Sequence, residues 1–269
     1  NLPTIDTYFA GVIDDVHIYN YPRTPGQIIE DMNAGHPAPG SPVGSATSYW
    51  KFDEGYSTTA YDSNVSTGGT ENLTLSTASW TNSGKFNKAW DGTGAIWLSG
   101  GDDSDLDFVA SDPFTISGWF KHSAASATEA IVQKLELTGT DGGYRVQMEF
   151  DGDITCETED DDADNIIDDT TTTTAATYDD GNWHFFACVY DITNTDLLIY
   201  IDGILVTSDI STTTNSLAND DTLYVGDSDG SNGTDEFNGE LDEIKIYHSA
   251  LSSSSIRAEY NRGSGQVMG

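Results

Sequence analysis

The chain has 269 residues, 36% of them hydrophobic, which is enough for a packed core. Its formal net charge is −35, with only 10 Lys and Arg against 45 Asp and Glu. This balance excludes a basic surface for nucleic acid or anionic membranes, and no apolar run approaches the roughly 20 residues that span a bilayer.

The beginning of the chain repeats near its end. Residues 9–35 align without gaps onto residues 237–263, with eight identical positions. The repeat predicts that residues 1–35 are the last strand and helix of a preceding module, residues 36–47 a Pro- and Gly-rich linker, residues 48–263 a complete module, and residues 264–269 the start of the next linker. We therefore expect a tandem-repeat protein.

From Tyr49 onward, short runs rich in β-branched and aromatic residues alternate with Gly, Asn and Asp clusters. Nine or more such runs with little helical periodicity predict an all-β, antiparallel two-sheet sandwich. The closing strand, residues 237–247, is expected beside residues 49–52. Asp202 and Gly203 predict a tight hairpin turn.

Two further segments have a predicted structure, an edge loop and a short helix. The acidic, Thr-rich residues 156–181 are expected to form an edge loop. After the closing strand, Ser252 as N-cap and Ile256 as an apolar contact predict one short C-terminal helix.

Cys156 and Cys188 are the only cysteines, and no His or third Cys completes a zinc-like spacing. A disulfide between them is the favoured interpretation, and two buried thiols are the alternative.

Six segments in order resemble laminin G-like modules, which have the concanavalin A-like jelly-roll fold. They are SYWKFDEGYSTTAYDSN, GKFNKAWDGTGAIWL, DPFTISGWFK, DGNWHFFACVYD, LLIYIDGIL and FNGELDEIKIYHSALS. The resemblance covers residues 48–263. It implies a jelly-roll sandwich, a frequently bound calcium ion, and binding of glycans or proteins outside the cell or on its surface.

The resemblance also implies where calcium would bind, at Glu54, Asp62 and Asp242. Carboxylates from distant segments would then clamp the ends of the module together. The alternative is that these side chains only accept hydrogen bonds from loop amides. A second acidic group has the same two interpretations, ion site or solvated loop; it consists of Asp227, Asp229, Asn232 and Asp235.

Glu240 and Asp242 share one face of the closing strand, as the carboxylates of related glycoside hydrolases do, but the next residue on that face is Ile244. The pattern therefore favours a protein without catalytic activity.

Ligand contact is expected from aromatic residues near polar loops, which are Trp80, Tyr144 and Tyr178. The tryptophans within apolar runs are expected in the core; they are Trp50, Trp90, Trp97, Trp119 and Trp183.

The sequence thus favours a non-catalytic, calcium-stabilised module that binds a glycan or an extracellular protein. The alternative is a structural subunit of an extracellular filament, in which strands are exchanged between neighbouring copies. Nucleic acid and membrane insertion are not expected.

Overall fold

The computed structural model describes residues 46–64, 71–135, 142–160, 167, 169–174, 177–211, 213, 215–231, 233 and 235–261. The expected tail at residues 1–35, nearly all of the linker and residues 264–269 lie outside this part of the chain.

Sixteen strands and one α-helix make up the described part of the chain. The strands are β1 Ser48–Trp50, β2 Thr59–Ala60, β3 Leu73–Leu75, β4 Trp80–Thr81, β5 Ala89–Asp91, β6 Leu98–Gly101, β7 Phe114–Ser123, β8 Glu129–Leu135, β9 Gly143–Met148, β10 Ile154–Glu159, β11 Asp169–Thr172, β12 Asp180–Asp191, β13 Asp196–Ile201, β14 Ile204–Ile210, β15 Leu223–Val225 and β16 Glu240–Tyr247. The helix, α1, is Ser253–Asn261, and a short 3-10 helix spans Ser104–Leu106.

The strands form two sheets of eight. The first sheet has the order β14-β13-β12-β7-β16-β5-β4, with β1 also paired to β16, and the second has the order β11-β10-β9-β8-β15-β6-β3-β2. Neighbouring strands within each sheet are antiparallel. The predicted all-β, two-sheet sandwich with one short C-terminal helix is confirmed.

The closing strand β16 lies in the middle of the first sheet. It pairs with β7 on one side and with β5 and β1 on the other. In the pairing with β1, Ser48 lies opposite Ile246 and Trp50 opposite Ile244. The expected contact between the two ends of the module is therefore confirmed.

The main core fills the space between the sheets. Trp50, Phe120, Val146 and Ile244 are among its fully buried members. Period-2 alternation explains this core, because every second side chain of a strand faces the partner sheet.

A smaller apolar cluster lies on the outer face of the first sheet, under α1. Trp119, Phe185 and Tyr247 of the sheet pack there with Ile256 of the helix. The hydroxyl of Ser252 accepts a hydrogen bond from the Ser255 amide at 3.2 Å, which is the expected N-cap. No helix in the described part of the chain is long and apolar enough to cross a membrane.

Among the tryptophans expected in the core, Trp50, Trp90 and Trp119 are buried. Trp97 and Trp183 are only half-buried.

The hairpin turn between β13 and β14 has the predicted residues. Asp202 and Gly203 adopt φ values of 52° and 76°, and Ile201 pairs with Ile204 across them. Positive φ at both central residues is the geometry of a type I′ turn, which Asp-Gly favours.

The expected edge loop at residues 156–181 is corrected in part by two strands. Thr155 to Thr158 of β10 pair with Thr172 to Asp169 of β11 at the outer edge of the second sheet. The segment is polar and yet forms strands, because buried polar side chains bond to one another, as Thr158 does to Asp169 at 3.3 Å.

Cys156 and Cys188 form a disulfide with a Cα–Cα distance of 6.1 Å. Cys156 lies in β10 of the second sheet and Cys188 in β12 of the first, and both are almost fully buried. The bond therefore connects the two sheets through the core.

Reducing this disulfide is expected to destabilise the protein. The sequence separation is 32 residues, and chain entropy for a loop of that size predicts a loss of about 3–4 kcal/mol in the free energy of unfolding. Urea unfolding with and without reductant measures the loss. The variant with both Cys156→Ala and Cys188→Ala is the control, because reductant should not shift its midpoint. An unchanged wild-type midpoint under full reduction contradicts the prediction.

Candidate functional site

A row of side chains crosses the outer face of the second sheet from strand to strand. Its members are Thr74, Ser99, Tyr224, Gln133, Arg145, Glu157 and Thr170, each opposite the next in register. Val132, Val146 and Cys156, which alternate with this polar row along β8, β9 and β10, belong to the core. The same alternation that builds the core thus gives the sheet a polar outer face.

A cavity of about 600 Å³ opens on this face. We call it the sheet cavity; its lining is Ala127, Thr128, Ala130, Gln133, Arg145, Gln147, Glu149, Ser228, Gly233 and Asp235. Its volume lies within the usual range of ligand sites, which is roughly 300–1,000 Å³.

Hydrogen bonds fix the polar groups of the sheet cavity. Glu149 accepts from the Thr128 hydroxyl at 2.9 Å and from Gln147 Nε2 at 3.0 Å. Arg145 Nε donates to Glu157 across the strand pair. These contacts hold an amide, a carboxylate and a guanidinium in set positions, which favours a ligand that both donates and accepts hydrogen bonds.

Gln133 contributes an unsatisfied atom to the site. Its Nε2 donates to the Ser228 carbonyl at 3.0 Å, but its buried Oε1 has no hydrogen-bond partner among the described residues. A buried polar atom of this kind marks a place where a bound molecule can supply the missing donor.

One residue of the second acidic group, Asp235, lines the sheet cavity together with Ser228 and Gly233. Asp227 is fully buried, and burial raises the pKa of its carboxyl to about 6. The Ser228 hydroxyl donates to Asp235. Asn232 lies outside the described residues. Both interpretations of this group, an ion site and a solvated loop, stay predictions.

The three expected calcium ligands do not form a group of oxygens within 4.8 Å of one another in the described part of the chain. Each accepts a hydrogen bond from a backbone amide: Glu54 from Tyr61 at 2.9 Å, Asp62 from Tyr49 at 2.9 Å and from Asn64 at 2.8 Å, and Asp242 from Phe86 at 2.8 Å. These bonds agree with the alternative interpretation. Each carboxylate also has a second, buried oxygen without a hydrogen-bond partner among the described residues. Calcium at these positions stays a prediction.

A different set of carboxylates comes together in the described part of the chain. Glu71, Asp103 and Asp105 each offer an oxygen within 4.8 Å of the others. Burial and the neighbouring Asp62 raise the pKa of Glu71 to about 7. The sequence analysis missed this group, although GDDSDL at residues 101–106 shows two of its members.

The two carboxylates that the sequence analysis compares with those of glycoside hydrolases, Glu240 and Asp242, are held in other environments. Glu240 forms an ion pair with Lys121 at 3.1 Å. Asp242 is fully buried, and burial, reinforced by the charges of Glu243 and Asp53, raises the pKa of its carboxyl to about 9.

The aromatic residues expected at a ligand do not line the sheet cavity. Tyr144 is only 1% exposed and its hydroxyl donates to the Leu106 carbonyl at 3.1 Å, so it is a core residue with no surface for a ligand. Tyr178 is buried against His184. Trp80 is half-buried and its indole donates to the Ser57 carbonyl at 2.9 Å. Tyr224, which the sequence analysis did not single out, is the half-buried aromatic residue of the polar row.

The family model of the Concanavalin A-like lectin/glucanases superfamily matches residues 91–257, which is more than half of the chain. No curated protein sequence matches the chain.

Solved structures at 10–18% identity share the fold. The binding domain of Paraclostridial Mosquitocidal Protein 1 matches with a TM-score of 0.63 and 16% identity over 80% of this chain and 52% of that one. The binding domain of Botulinum Neurotoxin DC, in complex with SialylT, matches with a TM-score of 0.59 and 10% identity, over 84% of this chain and 52% of that one. Domain 4 of AbnA, an extracellular arabinanase from Geobacillus stearothermophilus, was solved in complex with arabinotriose. It matches with a TM-score of 0.57 and 18% identity, over 79% of this chain and 96% of that one. The chain thus spans about half the length of the toxin domains and nearly all of the arabinanase domain.

The buried Asp242 carboxyl is expected to make stability fall as pH rises. With its pKa raised to about 9 in the folded state, the folded protein keeps a proton that the unfolded chain releases above about pH 4. Between these values each pH unit costs up to about 1.4 kcal/mol in the free energy of unfolding.

The variant Asp242→Asn removes this component, so its stability relative to wild type should increase from pH 5 to pH 8 in urea unfolding. Asp220→Asn, at an exposed position, is the matched control and should follow wild type. Parallel pH curves for wild type and Asp242→Asn contradict the expectation.

Proposed function

Because the chain belongs to the concanavalin A-like lectin and glucanase superfamily, we propose that it is a non-catalytic module that binds a glycan in the sheet cavity. The fold alone hosts many functions. The observation that carries the proposal is the sheet cavity itself, whose floor presents Gln133, Arg145 and Gln147 in fixed positions on two neighbouring strands.

The chemistry of the sheet cavity suits a sugar. Neighbouring hydroxyl groups of a sugar each donate and accept, so they pair with side-chain amides and carboxylates at the same time. Glu149 and Gln147 offer such a combination, linked to each other at 3.0 Å. Tyr224 lies beside Gln133 in the polar row, outside the lining of the sheet cavity, and offers an aromatic surface to a sugar that extends beyond the cavity.

The charges of the sheet cavity favour a neutral glycan. Glu149 and Asp235 line it together with one cation, Arg145, which is already paired with Glu157. The formal charge of the chain adds to this negative field. An anionic sugar would be repelled, so an arabinotriose-like neutral oligosaccharide is the expected class, rather than a sialylated one.

Binding without catalysis fits the positions of Glu240 and Asp242. One is held in an ion pair and the other is buried, and neither lines the sheet cavity. Two of the similar structures, the arabinanase domain and the neurotoxin binding domain, are complexes with arabinotriose and with SialylT, and they support the proposal by analogy of fold.

We place the module outside the cell or on its surface. The disulfide between Cys156 and Cys188 is typical of oxidising compartments. The similar arabinanase domain comes from an extracellular enzyme.

A glycan array of neutral and sialylated oligosaccharides, followed by calorimetry with the best neutral ligand, tests the proposal. The variant Gln147→Ala should lower affinity about tenfold or more, because it removes a positioned amide and frees Glu149. Thr74→Ala is the matched control, since Thr74 lies exposed on the same sheet face but outside the sheet cavity. Equal affinities for all three proteins, or binding of sialylated glycans alone, argue against this site.

A second candidate function rests on the outer edge of the first sheet. Strand β14 ends that sheet among the described strands and exposes Ile204, Leu205 and Ile210 at 66%, 47% and 70%. An exposed edge with apolar side chains is the surface that a strand from a neighbouring copy would need in an extracellular filament. The strand expected within residues 1–35 would be the donor, and it lies outside the described residues.

Size-exclusion chromatography of the whole chain and of a chain lacking residues 1–40 tests strand exchange. Exchange predicts concentration-dependent oligomers of the whole chain that disappear in the shortened one. The substitution Leu205→Lys should reduce them too, since a charge blocks edge pairing. Monomers at every concentration in both chains contradict this function.

A further inference from the structure

Carboxylates from separate loops meet at one end of the second sheet. Glu71 lies just before β3, and Asp103 and Asp105 follow β6, the strand that pairs with β3. One oxygen from each of the three lies within 4.8 Å of the others. Two oxygens that bind the same Ca²⁺ at about 2.4 Å are separated by at most about 4.8 Å, so the spacing fits a shared cation.

Glu71 supplies an independent sign of a ligand. It is only 3% exposed, and its buried Oε1 has no hydrogen-bond partner among the described residues. Its Oε2 accepts from the Ser48 hydroxyl at 3.3 Å, and its backbone carbonyl accepts from the Trp50 indole at 2.6 Å. The side chain is therefore held inside the protein with one oxygen left for a further partner.

Asp62 adds a negative charge beside the cluster on the side of β1. Its carboxylate is close enough to act on that of Glu71. Oδ1 accepts from the amides of Tyr49 and Asn64, while the buried Oδ2 has no donor in the described part of the chain. Ionised carboxylates are acceptors only and repel one another, so a cation or a proton beside them lowers the free energy of the cluster.

No basic side chain of the described residues fills that role. Lys134, which reaches the same loop, pairs with Asp102 and Asp107 at 3.2 and 2.8 Å. Within the described chain, no Lys, Arg or His nitrogen forms an ion pair with Glu71, Asp103 or Asp105.

We propose that Glu71, Asp103 and Asp105 bind one calcium ion. All three donors are carboxylates, which suit a hard cation, and their spread fits Ca²⁺ better than Mg²⁺, which demands a tighter octahedron. The ion would tie Glu71, which accepts a hydrogen bond from Ser48 of β1, to the loop that follows β6. This site shares no residue with the calcium ligands expected from the sequence.

Thermal unfolding of the whole chain, stripped with chelator and then given calcium or magnesium, tests the site. At a hundredfold excess of calcium over Kd, the Tm should rise by about 5–10 °C. Glu71→Gln should lose this rise while unfolding in chelator at a temperature equal to or above that of wild type, because the amide removes a buried charge. The Tm in chelator thus shows whether the variant folds.

Two further variants sharpen the test. Asp105→Asn, at an exposed position, should weaken calcium binding without disturbing the fold. Asp229→Asn, which removes the same charge from the other acidic loop, should keep the full calcium response.

Terbium luminescence gives a readout that is local to the site. Because the Trp50 indole contacts the Glu71 carbonyl, excitation of tryptophan should sensitise Tb³⁺ bound to wild type but not to Glu71→Gln. Calcium should displace the Tb³⁺ signal. A wild-type Tm that calcium leaves unchanged means that a proton alone occupies the cluster and overturns the proposal. A calcium response that Glu71→Gln retains in full also overturns it.

Discussion

The apolar layer between the two sheets decides what each outer face of the sandwich can do. Fully burying one large apolar side chain contributes roughly 1.5–3 kcal/mol, and the core takes its residues from every second position of both sheets. Part of the other face of the first sheet is apolar too, and α1 covers it through contacts such as that of Ile256 with the cluster around Trp119. The remaining positions of the second sheet are polar, so that face is the one available for a hydrophilic ligand.

Connections between distant parts of the chain hold this arrangement together. Strand β16 pairs with β1 and so joins the two ends of the module. The disulfide between Cys156 and Cys188 joins the sheets through the core, and the proposed calcium ion would join β1 to the loop after β6. A rigid scaffold lowers the entropy cost of binding, because the residues of the sheet cavity are already in place.

Local signals in the sequence predict much of the fold. The Asp202-Gly203 turn and the Ser252 cap each depend on a few neighbouring residues, and the terminal repeat identifies the closing strand. The alternation in β9 also shows that Tyr144 shares a face with Val146 and Met148, all buried. This spacing indicates a core position for Tyr144 rather than a ligand contact.

The candidate sites depend on pairing that no local pattern reveals. The sheet cavity requires β15 to lie beside β8, although more than eighty residues separate Gln133 from Tyr224. Glu71 meets Asp103 only because β3 pairs with β6. In the Thr- and Asp-rich segment, the strand residues are as polar as those of a loop, so β11 was not predicted.

We propose the polar outer face of the second sheet as the binding surface. Amide chemical shifts recorded by NMR during titration with the best neutral oligosaccharide test it most directly. The account predicts that the largest shifts cluster at Gln133, Arg145, Gln147 and Ser228, while amides of the first sheet stay in place. Shifts concentrated around α1 or on β14, with β8 and β9 unaffected, would contradict it.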